Sequence, residues 1–141
     1  MNKVLILGTS SFGGAATADF LLNKNYFVLG TYRRKKSPLY QPQLKSLKVK
    51  NFKDFKIDFD LDKDVSKIIK IINKYKPKYI IDFASICMVN ESWEYPENYI
   101  KSNLEKKSIL IKKLCGNKFL KKYIYISTPE IFGSNKNSIK E

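Results

Sequence analysis

The chain has 141 residues, 43% of them hydrophobic, with 27 Lys and Arg against 13 Asp and Glu, a formal net charge of +14 and no histidine. That length suits one domain around one core, and no stretch approaches the roughly 20 apolar residues of a membrane-spanning helix. Without histidine the common His/Cys zinc sets and the Ser/His/Asp and Cys/His nucleophile systems are excluded, and no metal site is expected. Cys87 and Cys115 allow at most one disulfide and read as buried thiols in a reducing compartment. The positive charge would attract a polyanion, but the lysines are scattered through every segment, which argues against a dedicated nucleic-acid surface. The run Val4 to Leu7 passes straight into Gly8-Thr9-Ser10-Ser11 with no leader-like apolar core, so a cytoplasmic protein is expected.

Lys3 to Leu7 is a continuous apolar run, the pattern of a strand buried on both faces of a parallel sheet. Gly8 to Gly14 is a Gly/Ser-rich turn, and Ala15, Ala16, Ala18, Phe20, Leu21 and Leu22 fit a helix ended by Asn23-Lys24-Asn25. Tyr26 to Tyr32 reads as a second strand, and Arg33 to Asn51 as a basic surface excursion with little regular structure. Phe55, Ile57 and Phe59 alternate as a short third strand, and Val65, Ile68, Ile69, Ile71 and Ile72 carry helical spacing closed by Lys76-Pro77. Tyr79 to Phe83 is a fourth strand, Tyr99 to Leu114 a helix and Tyr123 to Ile126 a fifth strand. Strands alternating with helices at this spacing predict an α/β fold with a doubly wound, Rossmann-type parallel sheet.

Gly8 to Gly14 joins a buried strand to a helix, where a dinucleotide pyrophosphate meets backbone amides and the positive helix end. Such a turn also serves plain geometry in any α/β protein. At the end of the second strand stands Gly30-Thr31-Tyr32-Arg33-Arg34, with no acid for a ribose 2′-hydroxyl; arginine suits a 2′-phosphate, which favours NADP over NAD, unless the loop is only a solvated basic surface. Tyr32 and Lys36 match Tyr-x-x-x-Lys by chance, since they stand on no helix. In Ser127-Thr128-Pro129-Glu130-Ile131-Phe132-Gly133, Thr128 can cap a helix that starts at Pro129, with Glu130 a favourable first-turn charge.

Taken together, the glycine turn, Gly30 to Arg34, Asp82-Phe83-Ala84-Ser85, Met88 to Trp93 with Pro96, Asn103 and Ser127 to Gly133 resemble the extended short-chain dehydrogenase/reductase family of NAD(P)-dependent sugar-nucleotide epimerases and dehydratases. Gly-x-x-Arg-Arg and the Ser-Trp after the fourth strand look most like the GDP-mannose 4,6-dehydratase branch. The resemblance implies that Gly8, Ser11, Phe12 and Gly14 lie along the pyrophosphate, with Ser11 in place of a glycine and offering a hydroxyl. It implies Arg33, helped by Arg34, for the 2′-phosphate and Asp58 or Asp60 for the adenine side. Phe83, Ala84 and Ser85 would back the cofactor, with Asp82 and Ser85 in place of the commoner Asn and Ala. Ser92 would meet the substrate, Thr128 would hold the sugar 4-hydroxyl, and Glu130 would remove the C5 proton. Pro129 stands where some dehydratases have an acid.

The implied activity is a 4,6-dehydratase acting on a nucleotide sugar with NADP, or a 4-epimerase or reductase of the same family. The family's Tyr-x-x-x-Lys would follow Gly133 and its substrate domain later still. Residues 1–141 are therefore expected to be an incomplete NAD(P)-binding domain, inactive alone, whose full-length form has room for homo-oligomerisation. A non-catalytic dinucleotide-binding module and a basic RNA-binding protein on the same scaffold are the alternatives.

Overall fold

The structure is a computed structural model, and it describes residues 2–34, 49–59 and 62–134. Five strands form one parallel sheet: β1 (Lys3–Leu7), β2 (Phe27–Tyr32), β3 (Phe52–Lys56), β4 (Tyr79–Asp82) and β5 (Lys122–Tyr125), in the order β3-β2-β1-β4-β5. The chain winds outward from β1 to β3 and then crosses back to β4. This reversal between β1 and β4 is the switch point of a Rossmann-type sheet, where ligands bind outside the carboxyl ends of the strands.

Why β1 is apolar throughout is visible in its two faces. Val4 and Ile6 join Ala18, Leu22 and Val28 beneath α1 (Phe12–Asn23). Leu5 and Leu7 join Leu29, Ile68, Ile72, Ile80, Leu110 and Leu114, beneath α2 (Asp62–Tyr75) and the later helices. Alternation of side chains along a strand thus feeds two cores from one run. The helical stretch after β4 comprises α3 (Val89–Glu94), α4 (Pro96–Tyr99), a π-helical segment (Ile100–Glu105) and α5 (Lys106–Leu114). The expected helix from Tyr99 to Leu114 is therefore real but carries a wide turn in its first half.

The punctuation residues act as the sequence suggests. Asn25 takes a φ of 62° after α1, and Lys76 a φ of 51° after α2, so both helices end on a left-handed residue. Pro77 follows Lys76 and forbids continuation.

Two expectations are corrected. The third strand lies earlier than the alternation of Phe55, Ile57 and Phe59 suggests: Phe52 to Lys56 pairs with Val28 to Tyr32 in parallel register. The edge position explains the misreading, because Lys53 and Lys56 stay exposed and break the apolar pattern, while Ile57 and Phe59 are buried just beyond the strand. The cysteines are not buried; Cys87, in the loop after β4, and Cys115, at the end of α5, are both free and exposed. Each lies in a connection at the surface, where the backbone leaves the core before its side chain can enter it. Of the basic excursion, residues 35–48 lie outside the described residues. No helix among the described residues is long and apolar enough to cross a membrane.

Ile72 is fully buried in the larger core. Ile72→Ala should lower stability by about 2–5 kcal/mol, read as an earlier urea midpoint with an unchanged slope.

Candidate active site at the carboxyl edge of the sheet

The turn after β1 is fixed by its own polar groups. Gly8 has a φ of 86°, its N–H donates to Thr31 Oγ1 at 3.0 Å, and the Thr9 N–H and hydroxyl both donate to the Thr31 carbonyl, at 2.8 and 2.9 Å. Ser11 caps α1: its hydroxyl accepts the Gly14 N–H at 3.1 Å and donates to the Gly8 carbonyl at 2.8 Å. That hydroxyl proton is spent inside the turn, so Ser11 offers an anion its position rather than a free donor. A Cβ on Gly14 would stand 2.3 Å from the Gly8 carbonyl, so only glycine lets the helix start this close to the strand. The amides of Phe12 and Gly13 open the helix without intrahelical acceptors, at its positive end. Phe12 itself is 81% exposed.

Beside this turn lies a cavity of about 210 Å³, walled by Ser10, Ser11, Thr31, Arg33, Ile57 and Phe59 and floored by Phe83, Ala84 and Ser85. Arg33 is half-buried at its rim; the exposed Arg34 and Arg33 together border a second hollow with Glu91, Tyr95 and Asn98. Asp58 follows β3, but its N–H is bound by the Asp64 carboxylate at 2.6 Å and it is not part of the wall. Asp60 lies outside the described residues.

Asp82 anchors the floor. Its carboxylate is fully buried, takes both oxygens to Lys107 Nζ at 2.6 and 2.5 Å, accepts the Ala84 N–H at 2.9 Å and accepts the Tyr123 hydroxyl. Burial pushes the Lys107 ammonium below its usual range, against the opposing pull of Asp82. Burial, with the Asp82 charge adding to it, pushes the Tyr123 hydroxyl far above its usual range. Lys107 also stands 4.2 Å from the centre of the Phe59 ring.

Beyond Ser85 a second cavity of about 330 Å³ opens, lined by Met88, Ser92, Tyr99, Tyr125, Ser127 and Thr128 among others. Asn103 clamps its loop, accepting the Ile86 N–H at 2.9 Å and donating to the Ile86 carbonyl at 2.8 Å. Tyr99 donates to the Met88 carbonyl at 2.5 Å and Ser92 to the Val89 carbonyl at 2.6 Å. The 3₁₀ turn Pro129–Phe132 follows Thr128; the Glu130 side chain lies outside the described residues. The structure thus gathers Ser11, Arg33, Phe83, Ala84 and Ser85 around one cavity and Ser85, Ser92 and Thr128 around its neighbour, while Gly8 and Gly14 shape the turn behind the first wall and Phe12 and Asp58 stand apart from both walls.

The sequence profile described as GDP-mannose 4,6 dehydratase matches residues 5–141. The chain belongs to this family. A dTDP-D-glucose 4,6-dehydratase from Dictyostelium discoideum is 29% identical over an alignment spanning 100% of this chain and 34% of the relative. Among solved structures, UDP-glucose 4-epimerase from Bifidobacterium longum, in complex with NAD+ and UDP, is 26% identical with a TM-score of 0.82, covering 96% of this chain and 40% of its own. UDP-glucuronic acid 4-epimerase from Bacillus cereus, in complex with UDP-glucuronic acid and NAD, is also 26% identical, with a TM-score of 0.77 over 99% of this chain and 44% of its own. The chain therefore spans 34–44% of the length of these members of the sugar-nucleotide epimerase/dehydratase group.

Three site residues escape a reading of motifs alone: Lys107, Tyr123 and Tyr125. The signal for the tyrosines is their i, i+2 spacing in an apolar strand, which sends both hydroxyls to one face. The signal for Lys107 is its place on the helical stripe of Asn103, Leu110 and Leu114, all turned inward. Lys107→Met should destabilise the fold by about 3–5 kcal/mol because it leaves Asp82 buried and uncompensated, and adding Asp82→Asn should restore most of that loss, both read from urea unfolding.

Proposed function

We propose that this chain is the cofactor-binding part of an NADP-dependent nucleotide-sugar 4,6-dehydratase, a lyase. The observation that carries the reading is the first cavity: a glycine turn, an open helix N-terminus and Arg33 stand together at the switch point of the sheet, with no acid among the described residues of its wall to take a ribose 2′-hydroxyl. These groups fit a dinucleotide phosphate: amides for the pyrophosphate, a guanidinium for the 2′-phosphate and an apolar floor for the flat rings. Family membership supports the same reading, and the NAD held by the solved relatives supports a nicotinamide dinucleotide in this cavity. Two free, exposed thiols suit a reducing, cytoplasmic setting.

When bound, the nicotinamide supplies reversible oxidation at sugar C4. In this reading the chain's own residues position the reactants. Arg33 grips the 2′-phosphate, and the α1 terminus balances the pyrophosphate charge. Thr128, exposed in the second cavity, holds the sugar 4-hydroxyl by a hydrogen bond, and Ser92 borders the same space. Glu130 is assigned to the C5 proton, which a dehydratase must remove before water leaves C6 and which simple 4-epimerisation leaves in place.

A second reading, NAD with 4-epimerase chemistry, draws on the solved relatives, both of which are 4-epimerases with NAD bound. Titration separates the cofactors. Wild-type chain should bind NADPH more tightly than NADH, and Arg33→Ala should weaken NADPH by about tenfold or more while leaving NADH within about twofold. Equal affinities in the wild type, or no change in the variant, would remove the NADP assignment.

A further inference from the structure

Ser85 is where the two cavities meet, since it lines both. Its Oγ lies 3.0 Å from the Tyr125 hydroxyl, which arrives from the adjoining strand, where Tyr125 is in register with Asp82. Each hydroxyl has one proton and two lone pairs, so two hydroxyls that share one hydrogen bond keep one proton for a third partner, whichever of them donates. Neither side chain makes another hydrogen bond among the described residues, and the Tyr125 ring is steadied by Lys107 Nζ, 5.7 Å from its centre. The pair is therefore a placed donor at a cavity neck with its last proton uncommitted.

Its place along the cavity identifies what it meets. Arg33 marks one part of the first cavity, the α1 terminus another, and Ser85 the passage to the second. In the dinucleotide reading Arg33 takes the 2′-phosphate and the α1 terminus the pyrophosphate, which leaves the nicotinamide end for the part of the cavity that Ser85 lines. We propose that the Ser85–Tyr125 hydroxyl pair is a binding element for the nicotinamide riboside end of the dinucleotide, donating its remaining proton to an oxygen there. The inference rests on the dinucleotide reading of the first cavity. It assigns Tyr125, a residue outside every motif of the sequence, a contact with the cofactor.

The test compares two ligands on the full chain by calorimetry: NADPH, and adenosine 2′,5′-bisphosphate, which lacks the nicotinamide end. Tyr125→Phe deletes one oxygen and keeps the ring over Lys107. It should weaken NADPH about fivefold and leave the bisphosphate unchanged. Ser85→Ala should do the same, and the double variant should lose no more than either single change, because the pair acts as one unit. NADPH bound as tightly by Tyr125→Phe as by wild type overturns the inference and leaves the dinucleotide reading intact. Equal weakening of both ligands also overturns it, as it would report general disturbance of the fold. Wild-type chain that binds neither ligand removes the dinucleotide reading itself and the inference with it.

Discussion

A carboxylate sealed from solvent governs this end of the sheet. Isolated, the Asp82 charge would cost several kcal/mol to bury, and its attraction to a partner repays that cost only when the remaining lone pairs are also satisfied. Here Lys107, Tyr123 and the Ala84 amide satisfy them together. These partners come from α5, from β5 and from the loop after β4. One charge thereby ties a helix, a strand and a loop to a single point, and the gain is in placement more than in net stability.

Placement then propagates to the cavity. The loop held by Asp82 carries Phe83 and Ala84, and these are the groups a side chain would strike at Gly13 and Gly8: a Cβ would lie 2.8 Å from the Phe83 ring and 3.0 Å from the Ala84 nitrogen. The glycine turn is in turn held to β2 through Thr9 and Thr31. A continuous set of contacts thus runs from the end of β2, across the turn after β1, to the floor after β4 and on to α5. Ligand-facing backbone that is fixed from both sides needs little reordering on binding, which is how a site gains affinity without new contacts.

The elements that bury both faces were legible in the sequence because composition alone marks them. Val4 to Leu7 could be little else than a central parallel strand, and Gly8, Gly14, Asn25 and Pro77 announced their turns. The edge was harder: at β3 exposure of Lys53 and Lys56 hid the strand, and the buried Ile57 and Phe59 beyond it imitated one. The candidate cavity was legible where its groups are local, in the turn after β1 and in Arg33 after β2. It was illegible where chemistry depends on pairing across the fold. Nothing near Asp82 in sequence says that a lysine 25 residues later will neutralise it, or that Tyr123 and Tyr125 will come alongside. Cys87 and Cys115 show the same limit, since a small apolar side chain says nothing about whether its backbone reaches the core.

Three of the departures from the pattern that the resemblance implies, at Ser11, Asp82 and Ser85, are each matched by a partner. Ser11 replaces a glycine, and its hydroxyl closes the turn between the Gly8 carbonyl and the Gly14 amide. Asp82 stands where Asn is commoner, and Lys107 sits against it. Ser85 stands where Ala is commoner, and Tyr125 meets it. Here the substituted positions and their partners agree across separate elements, in the region that also forms the cavity walls. Pairing of that kind holds the walls of the first cavity in place from separate elements.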